Sequence, residues 1–142
     1  MDALVHAASF AELPARRFHD IVRLRESVFV VEQACPYHEL DGRDVLDDTL
    51  HLWIEDGEDV VCYLRLYPGD GADWIGRVVT AADHRGRGLA GHLVRSALDR
   101  AGRPVRLSAQ SRLADWYQRL GFAACGPDFE EDGILHTPMH LG

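Results

Sequence analysis

A segment rich in glycine and arginine joins a predicted strand to a predicted helix, and this junction constrains the fold more than any other feature. Residues 74–80 have the apolar pattern of a strand, and residues 88–101 repeat apolar side chains at helical spacing. Glycine permits a tight turn there, and the free N–H groups of a first helical turn attract negative charge. The junction therefore predicts a main-chain cradle for a diphosphate, with two arginines beside it. The segment between the two elements contains Arg85-Gly86-Arg87-Gly88-Leu89-Ala90.

The same glycines fit a second class of ligand by their letters alone. Gly86-x-Gly88-x-x-Gly91 matches the spacing of the dinucleotide-binding fingerprint. The context of that fingerprint is missing, because no βαβ unit opens the chain and no acidic residue follows about 20 positions later to bind a ribose. A nucleotide-binding domain built on this loop stays an alternative without an identified ribose partner.

The basic residues of the chain are all arginine, and they are concentrated around the junction. The 142 residues include 15 basic and 23 acidic side chains, a net charge of −8, and no lysine. The absence of lysine excludes Schiff-base chemistry and the lysine-dependent P-loop. Residues 77–119 hold nine arginines and three acidic residues, a net charge of +6, whereas the remainder carries −14. This basic island indicates a small anionic ligand, since a nucleic acid would need a broader basic surface.

Hydrophobic periodicity and turn residues predict a single domain over residues 1–142. The first helix, over 14–31, is expected to start at Pro14, although a capping box of Ser9 and Glu12 would start it earlier. Strands and helices alternate in the second half, which predicts an α/β class with a mixed sheet and helices on both faces. The predicted strands are 4–10, 50–55, 60–67, 74–80, 105–109, 122–125 and 135–140, and the later helices are 88–101 and 112–120, with Ser111 as the N-cap.

Several blocks of the sequence resemble the GNAT superfamily of N-acetyltransferases and, within it, the ElaA-like family. Residues 85–90 fit the superfamily's acyl-CoA signature, Gln/Arg-x-x-Gly-x-Gly/Ala. The resemblance implies the GNAT acyl-CoA N-acyltransferase fold, a mixed and mostly antiparallel sheet whose central strands splay apart. The ElaA-like blocks are Leu24-Arg25-x-x-Val28-Phe29-Val30-Val31-Glu32-Gln33, Cys35-Pro36-Tyr37-x-Glu39-x-Asp41-Gly42-x-Asp44, Trp116-Tyr117-x-x-Leu120-Gly121-Phe122 and Glu130-Glu131-Asp132-Gly133-x-x-His136.

The resemblance also implies acetyl-CoA as the cosubstrate and tells where this chain would hold it. Its pantetheine arm would pair with the main chain of Val78, Val79 and Thr80, and the N–H of Val78 or Val79 would stabilise the oxyanion. Tyr117 would be the general acid for the departing thiolate, although its place on an apolar helix face equally fits a packed tyrosine. The diphosphate would lie on the N–H groups of residues 86–90, namely Gly86, Arg87, Gly88, Leu89 and Ala90, with Arg85 and Arg87 near the phosphates.

The acceptor side is less defined by the sequence. Many relatives carry a glutamate on the strand before the cradle, but residues 74–79 contain no acidic side chain. Two acidic clusters, at 39–48 and 128–132, would attract a protonated amine, although solvated acidic loops explain them equally well. We predict that substrate contacts come from Glu32, Glu39, Asp41 and His136, and the general base from these four residues, from His51 or from solvent.

The resemblance implies an N-acetyltransferase that moves an acetyl group to a primary amine by direct attack, and we expect it to be cytoplasmic. The alternative is a module that senses acyl-CoA without transferring the acyl group. Three cysteines without a Cys-x-x-Cys pair and an N-terminus unlike a secretion signal favour a reducing compartment. We expect no metal site, no membrane partner and no nucleic-acid partner, because Cys35-x-x-His38 lacks a second ligand pair and no apolar run reaches about 18 residues. The sequence does not determine the oligomeric state and leaves a homodimer open.

Overall fold

One mixed sheet organises residues 3–102 and 104–142, the part of the chain that this computed structural model describes. Its strand order is β1-β2-β3-β4-β5-β8-β6, and β7 pairs with β8 beside that path. Among the described strands only β4 and β5 pair in parallel, so the mixed, mostly antiparallel sheet is confirmed. The strands are β1 (His6–Ala8), β2 (Leu50–Asp56), β3 (Asp59–Pro68), β4 (Asp73–Thr80), β5 (Val105–Gln110), β6 (Ala123–Ala124), β7 (Phe129–Glu131) and β8 (Ile134–Leu141).

The helices cover both faces of this sheet. They are α1 (Ala15–Glu26), α2 (Leu89–Arg100) and α3 (Ala114–Arg119). Successive strand residues point to opposite faces, and the core divides accordingly. Trp53 and Tyr63 pack with α1, whereas Leu52 and Leu64 pack with α2 and α3. The expectation of helices on both faces is therefore confirmed.

The first helix departs from its predicted bounds at both ends. Pro14 is the N-cap rather than the first helical residue, and Ser9 donates its backbone N–H to the Glu12 carboxylate (3.0 Å) in a separate 3₁₀ turn. The two predicted starts of the helix therefore correspond to two consecutive turns, the 3₁₀ turn at Phe10–Glu12 and the first turn of α1. Beyond Glu26 the chain continues as a π-helix over Ser27–Glu32, in which each hydrogen bond spans five residues. The expected α-helix to residue 31 is wrong in this last turn, which lies against the sheet opening described below.

The last helix is shorter than predicted. Residues 111–113 form a 3₁₀ turn before α3, and Ser111 is not the N-cap, because its hydroxyl lies 2.8 Å from the Thr137 hydroxyl instead. Gly121 ends this helix: it has a φ of 105°, its N–H donates to the Gln118 carbonyl, and the Phe122 N–H donates to the Tyr117 carbonyl. These two hydrogen bonds form a Schellman motif, which ends α3 at Arg119, two residues after Tyr117.

The two parallel strands separate almost as soon as they meet. β4 and β5 pair only at Asp73 with Val105 and at Trp74 with Arg106. Beyond this point the two strands no longer pair with each other, so residues 75–80 of β4 face residues 107–110 of β5 across a gap. The splayed centre that the family resemblance implied is therefore present. Within the described ranges, no helix is long and apolar enough to cross a membrane.

Candidate functional site

A cleft of about 1140 Å³ opens where β4 and β5 diverge. Its walls come from the π-helix, from the edge of β4, from the first turn of α2, from α3 and from the turn between β7 and β8. Of the residues predicted for the site, those that line the cleft are Glu32, Asp41, Val78, Val79, Thr80, Arg85, Gly86, Gly88, Leu89, Ala90, Tyr117 and His136. Residues spread over more than 100 positions of sequence thus meet in one place.

A β-bulge shapes the β4 wall of the cleft. Tyr63 pairs with Val79 and Arg65 pairs with Gly76, so two residues of β4 stand opposite one residue of β3. Arg77, one of these two, has a φ of 54°, in the left-handed region that non-glycine residues rarely occupy. A bulge re-aims the strand locally. Here it turns the main chain before Val79 at the point where the edge of β4 has no partner.

The predicted cradle lies at the start of α2. Gly86 and Gly88 have φ values of 76° and 75°, and a Cβ on either would meet nothing within 4 Å. Backbone conformation, and not crowding, therefore requires glycine at both positions. Gly88 caps α2 with no side-chain hydrogen bond, so the first-turn N–H groups of this 12-residue helix stay available to a ligand.

The two cradle arginines behave differently. Arg85 lines the cleft and reaches across its mouth to the π-helix, where its two terminal nitrogens donate to the Glu32 carboxylate over 2.8 and 2.9 Å. This pairing lowers the pKa of Glu32. Arg87 lies outside the cleft lining and donates to the Asp83 carbonyl (3.2 Å). Arg85 is thus the arginine placed to meet a ligand in the cleft.

Tyr117 lines the opposite wall with a hydroxyl that has no protein partner. The residue is 6% exposed and packs edge-on against Trp116 and Phe122. No described residue accepts a hydrogen bond from its hydroxyl. Burial raises the pKa of Tyr117, and the nearby Cys62 thiol raises it further. The phenol therefore keeps its proton at neutral pH and can give it to a base that forms in the cleft.

Part of the first acidic cluster is neutralised by arginine. Its acidic side chains are Glu39, Asp41 and Asp44, and its arginines are Arg25, Arg65 and Arg77. Arg25 is fully buried and donates to both Glu39 and Asp44. Arg65 holds Asp41 over 2.6 Å, and this hydrogen bond lowers the pKa of Asp41. Three positive and three negative charges thus balance, and Glu39 and Asp41 tie the 37–44 loop to β3 and β4.

The two histidines considered as a base lie in different surroundings. His51 is fully buried between the Tyr63 hydroxyl (2.6 Å) and the Asp44 carbonyl (2.9 Å), away from the cleft lining. Burial lowers its pKa, with smaller contributions from neighbouring charges. His136 lines the cleft and is half-buried. Its Nδ1 lies 2.8 Å from the Ile134 carbonyl.

Sequence reasoning missed two features of this site. Arg65 and Arg77 were not singled out, although an arginine inside an otherwise apolar strand signals a buried charge that needs a partner. The side-chain amides of Gln33 and Gln110 also form two reciprocal hydrogen bonds, over 3.1 and 3.4 Å. No local sequence pattern could predict this pair, because 77 positions separate the two residues. In the described part of the chain, no group of three His, Cys, Asp or Glu side chains is arranged to hold a metal ion.

The chain is similar to an acetyltransferase family and to several of its members. A family model described as Acetyltransferase (GNAT) domain matches residues 19–142. A UPF0039 protein of Mycobacterium tuberculosis is 47% identical over 135 residues, which cover 90% of this chain and 86% of that protein. Protein ElaA of Escherichia coli is 34% identical over 137 residues, which cover 91% of this chain and 90% of that protein.

Solved structures agree with this assignment. An acyl-CoA N-acyltransferase from Pseudomonas aeruginosa superposes with a TM-score of 0.93 at 37% identity, over 99% of this chain and all of that chain (100%). The crystal structure of Escherichia coli ElaA superposes with a TM-score of 0.92 at 31% identity, over 98% of this chain and 99% of that chain. The expected fold and the ElaA-like resemblance are both confirmed.

Proposed function

Because the chain belongs to the GNAT acetyltransferase family, we propose that it transfers an acetyl group from acetyl-CoA to a primary amine. The observation that carries the proposal is a single cleft that combines an uncapped helix start, an unpaired strand edge and a tyrosine hydroxyl without a partner. A small molecule, a polyamine and a peptide amine are all acceptors of the required class.

The donor side fits the chemistry of coenzyme A. The N–H groups of residues 86–90 would take the diphosphate, since a helix start binds anions through its free donors and its dipole. Arg85 would leave Glu32 to add a charged contact, which its exposed position permits. The unpaired edge of β4 at Val78, Val79 and Thr80 would pair with the amide groups of an extended arm, as a neighbouring strand would.

Two groups of the chain would act on the reacting atoms. Acetyl-CoA supplies an acyl group bound to a good leaving group. The N–H of Val78 or Val79, aimed by the bulge at Arg77, would stabilise the negative charge that develops on the acyl oxygen. The Tyr117 hydroxyl would donate its proton to the departing sulfur. Direct attack by the amine needs no covalent link to the protein.

A second candidate is a sensor that binds acyl-CoA and transfers nothing. The observation that favours it is the lack of an acidic side chain at residues 74–79 of β4, where many members of the resembled superfamily carry a glutamate. It predicts the same binding as the enzyme and no release of free thiol with any amine.

One experiment on the full chain separates these functions. Calorimetric titration with acetyl-CoA, CoA, NAD and ATP tests the ligand, and release of free thiol over a panel of polyamines, amino acids and peptides tests transfer. We expect binding of both CoA species only, together with thiol release for at least one class of amine. Binding without thiol release would establish the sensor, and binding of NAD or ATP alone would overturn both functions.

A further inference from the structure

We propose that His136 is the general base that deprotonates the attacking amine, an inference that rests on the proposed acyl transfer. The fourth ElaA-like block of the sequence ends on this residue, and the functions assigned so far do not use it. Three observations carry the proposal: the tautomer of the ring, the face of the sheet on which it lies, and the state of the other basic groups in the cleft.

The protein fixes which ring nitrogen of His136 can accept a proton. A carbonyl oxygen only accepts hydrogen bonds, so Nδ1, which lies 2.8 Å from the Ile134 carbonyl, carries the hydrogen. Nε2 then holds the lone pair, and no described residue bonds to it. The ring also stacks on Phe129, with centroids 5.7 Å apart and planes at 21°. His136 therefore presents an oriented, unoccupied acceptor in a residue that lines the cleft.

His136 lies on the face of the sheet opposite Tyr117. Its partner in β5 is Gln110, whose amide bonds to Gln33 at the end of the π-helix, on the α1 side. The preceding residue of β5, Ala109, belongs instead to the core that contains Tyr117. Paired residues of neighbouring strands share a face, and consecutive residues alternate. The split in the sheet thus has a proton acceptor on one side and a proton donor on the other.

This arrangement matches what the reaction needs. The nitrogen–carbon bond forms on one side of the acyl carbon, and the carbon–sulfur bond breaks on the other. His136 Nε2 would take one proton from the nitrogen, and Tyr117 would give one proton to the sulfur. Afterwards the imidazolium returns its proton to water and the phenolate regains one. The products are an amide and a free thiol, and the protons balance.

The other groups at the cleft that could accept a proton are either held in ion pairs or lack a partner that orients them. The Glu32 carboxylate accepts hydrogen bonds from Arg85, and the Asp41 carboxylate accepts them from Arg65. His84 has one ring nitrogen 2.8 Å from Asp83 and the other 2.9 Å from Asp56. His38 is exposed and has no described partner that would orient its ring.

Glu131 and Asp132 also line the cleft, as exposed carboxylates that no described group orients. Both belong to the acidic cluster at 128–132. The matched control is therefore His140, a half-buried histidine of the same strand that lies outside the cleft lining.

The kinetic test compares His136→Gln, His136→Ala and His140→Gln in the thiol-release assay, using an amine that the wild-type protein accepts. General-base catalysis is worth about 10²- to 10⁴-fold, so His136→Gln should lose kcat by this factor while its Kd for CoA changes less than about twofold. Added imidazole should restore part of the rate of His136→Ala and leave the wild-type and His140→Gln rates unchanged. A His136→Gln rate close to wild type, or a His140→Gln loss of similar size, would overturn the assignment.

A second readout needs no turnover. Long-range ¹H–¹⁵N NMR of the imidazoles in the free protein, assigned with His136→Gln, reports the tautomer directly. We expect the hydrogen on Nδ1 and a bare Nε2, and the opposite tautomer would overturn the proposal even in an active enzyme. If free thiol were released equally well without any amine present, both the transferase function and the role of His136 as base would be overturned. Transfer to an amine that does not depend on His136 would overturn only the role of His136.

Discussion

The Arg77 guanidinium forms two hydrogen bonds with Glu39: its Nε–H donates to the Glu39 carboxylate over 3.0 Å, and a terminal nitrogen donates to the Glu39 carbonyl over 3.1 Å. Arg77 is also the residue whose backbone turns left-handed in the β4 bulge. A buried carboxylate on a loop thus holds the strained position of the strand that lines the cleft. Since Arg25 donates to the same carboxylate, Glu39 connects α1, the loop and β4.

Replacing Glu39 with Gln should destabilise the fold. The substitution leaves Arg25 buried beside a neutral amide, and removing one partner of a buried ion pair typically costs about 3–5 kcal/mol. The free energy of unfolding, measured in urea, should fall by roughly this amount. Asp48→Asn, at an exposed acidic residue of the same 39–48 cluster, should change it by less than about 0.5 kcal/mol. Equal stability of the two variants would mean that Glu39 does not hold the bulge.

Replacing Tyr117 with Phe should slow the chemistry and leave binding intact. The change removes only the hydroxyl, which has no protein partner, so packing against Trp116 and Phe122 is kept. We expect kcat to fall about 10²-fold or more, with the calorimetric Kd for CoA within about twofold. Tyr67→Phe, at a half-buried tyrosine that also lines the cleft, should retain its rate. An unchanged rate in the Tyr117 variant would reduce this residue to a packing role.

Gly88→Ala should weaken the cradle through backbone conformation alone. No atom would clash with the new Cβ, but the φ of 75° costs a non-glycine residue about 1–2 kcal/mol. We expect CoA to bind about tenfold more weakly by calorimetry, because relaxation of the turn misdirects the first N–H groups of α2. Gly102→Ala is a matched control, since its Cβ also meets nothing within 4 Å and its φ is not positive. A similar loss in both variants would contradict this explanation.

Glu32→Gln should strengthen CoA binding. In the free protein Glu32 occupies both terminal nitrogens of Arg85, and CoA must displace it before Arg85 can meet a phosphate. Exposed ion pairs are weak, so we expect a Kd lower by roughly two- to fivefold at low salt, with the difference shrinking as salt rises. Arg85→Gln should shift the Kd in the opposite direction. Weaker binding in Glu32→Gln would mean that the ion pair helps to assemble the site.

His51 should make the stability of the protein depend on pH near neutrality. Burial lowers its pKa in the folded state below the unfolded value of about 6.5, so the unfolded chain binds the proton first. Its contribution is therefore fully present above about pH 6.5 and is lost progressively as the pH falls below that value and through the lower pKa of the folded state. Urea unfolding at pH 7.5 and 5.5 should show this loss in the wild type and a smaller one in His51→Gln. Identical pH dependence in the two proteins would assign the effect to other groups.

Local signals made the order of elements and the cradle predictable from the sequence. The turn at Gly86 and Gly88 and the stop at Gly121 depend on glycine at positive φ, which a sequence displays directly. β7 was not predicted, because all three of its residues are exposed and its pattern carries no apolar alternation. The π-helix was also missed, since its apolar residues continue the helical spacing of α1.

The acceptor side of the site could not be predicted from local patterns, because its partners are far apart in the chain. Arg77 and Glu39 are separated by 38 positions, and Gln33 and Gln110 by 77. The acidic residues that the sequence suggests as a surface for cations are instead, in the folded protein, paired with arginines from α1, β3 and β4. Pairing of this kind depends on tertiary structure, so the sequence supplied the residue types without their roles.

The early separation of β4 from β5 divides the cleft into two parts that are open to change in different ways. On one part the groups proposed to contact the donor are mostly peptide groups, which most side chains leave in place, so substitutions there other than at Gly86 and Gly88 should have little consequence for the donor. On the other part the groups that would face the acceptor are side chains from the π-helix, the 37–44 loop and the final hairpin. We therefore expect related chains with this architecture to exchange the amine they accept while keeping the same thioester.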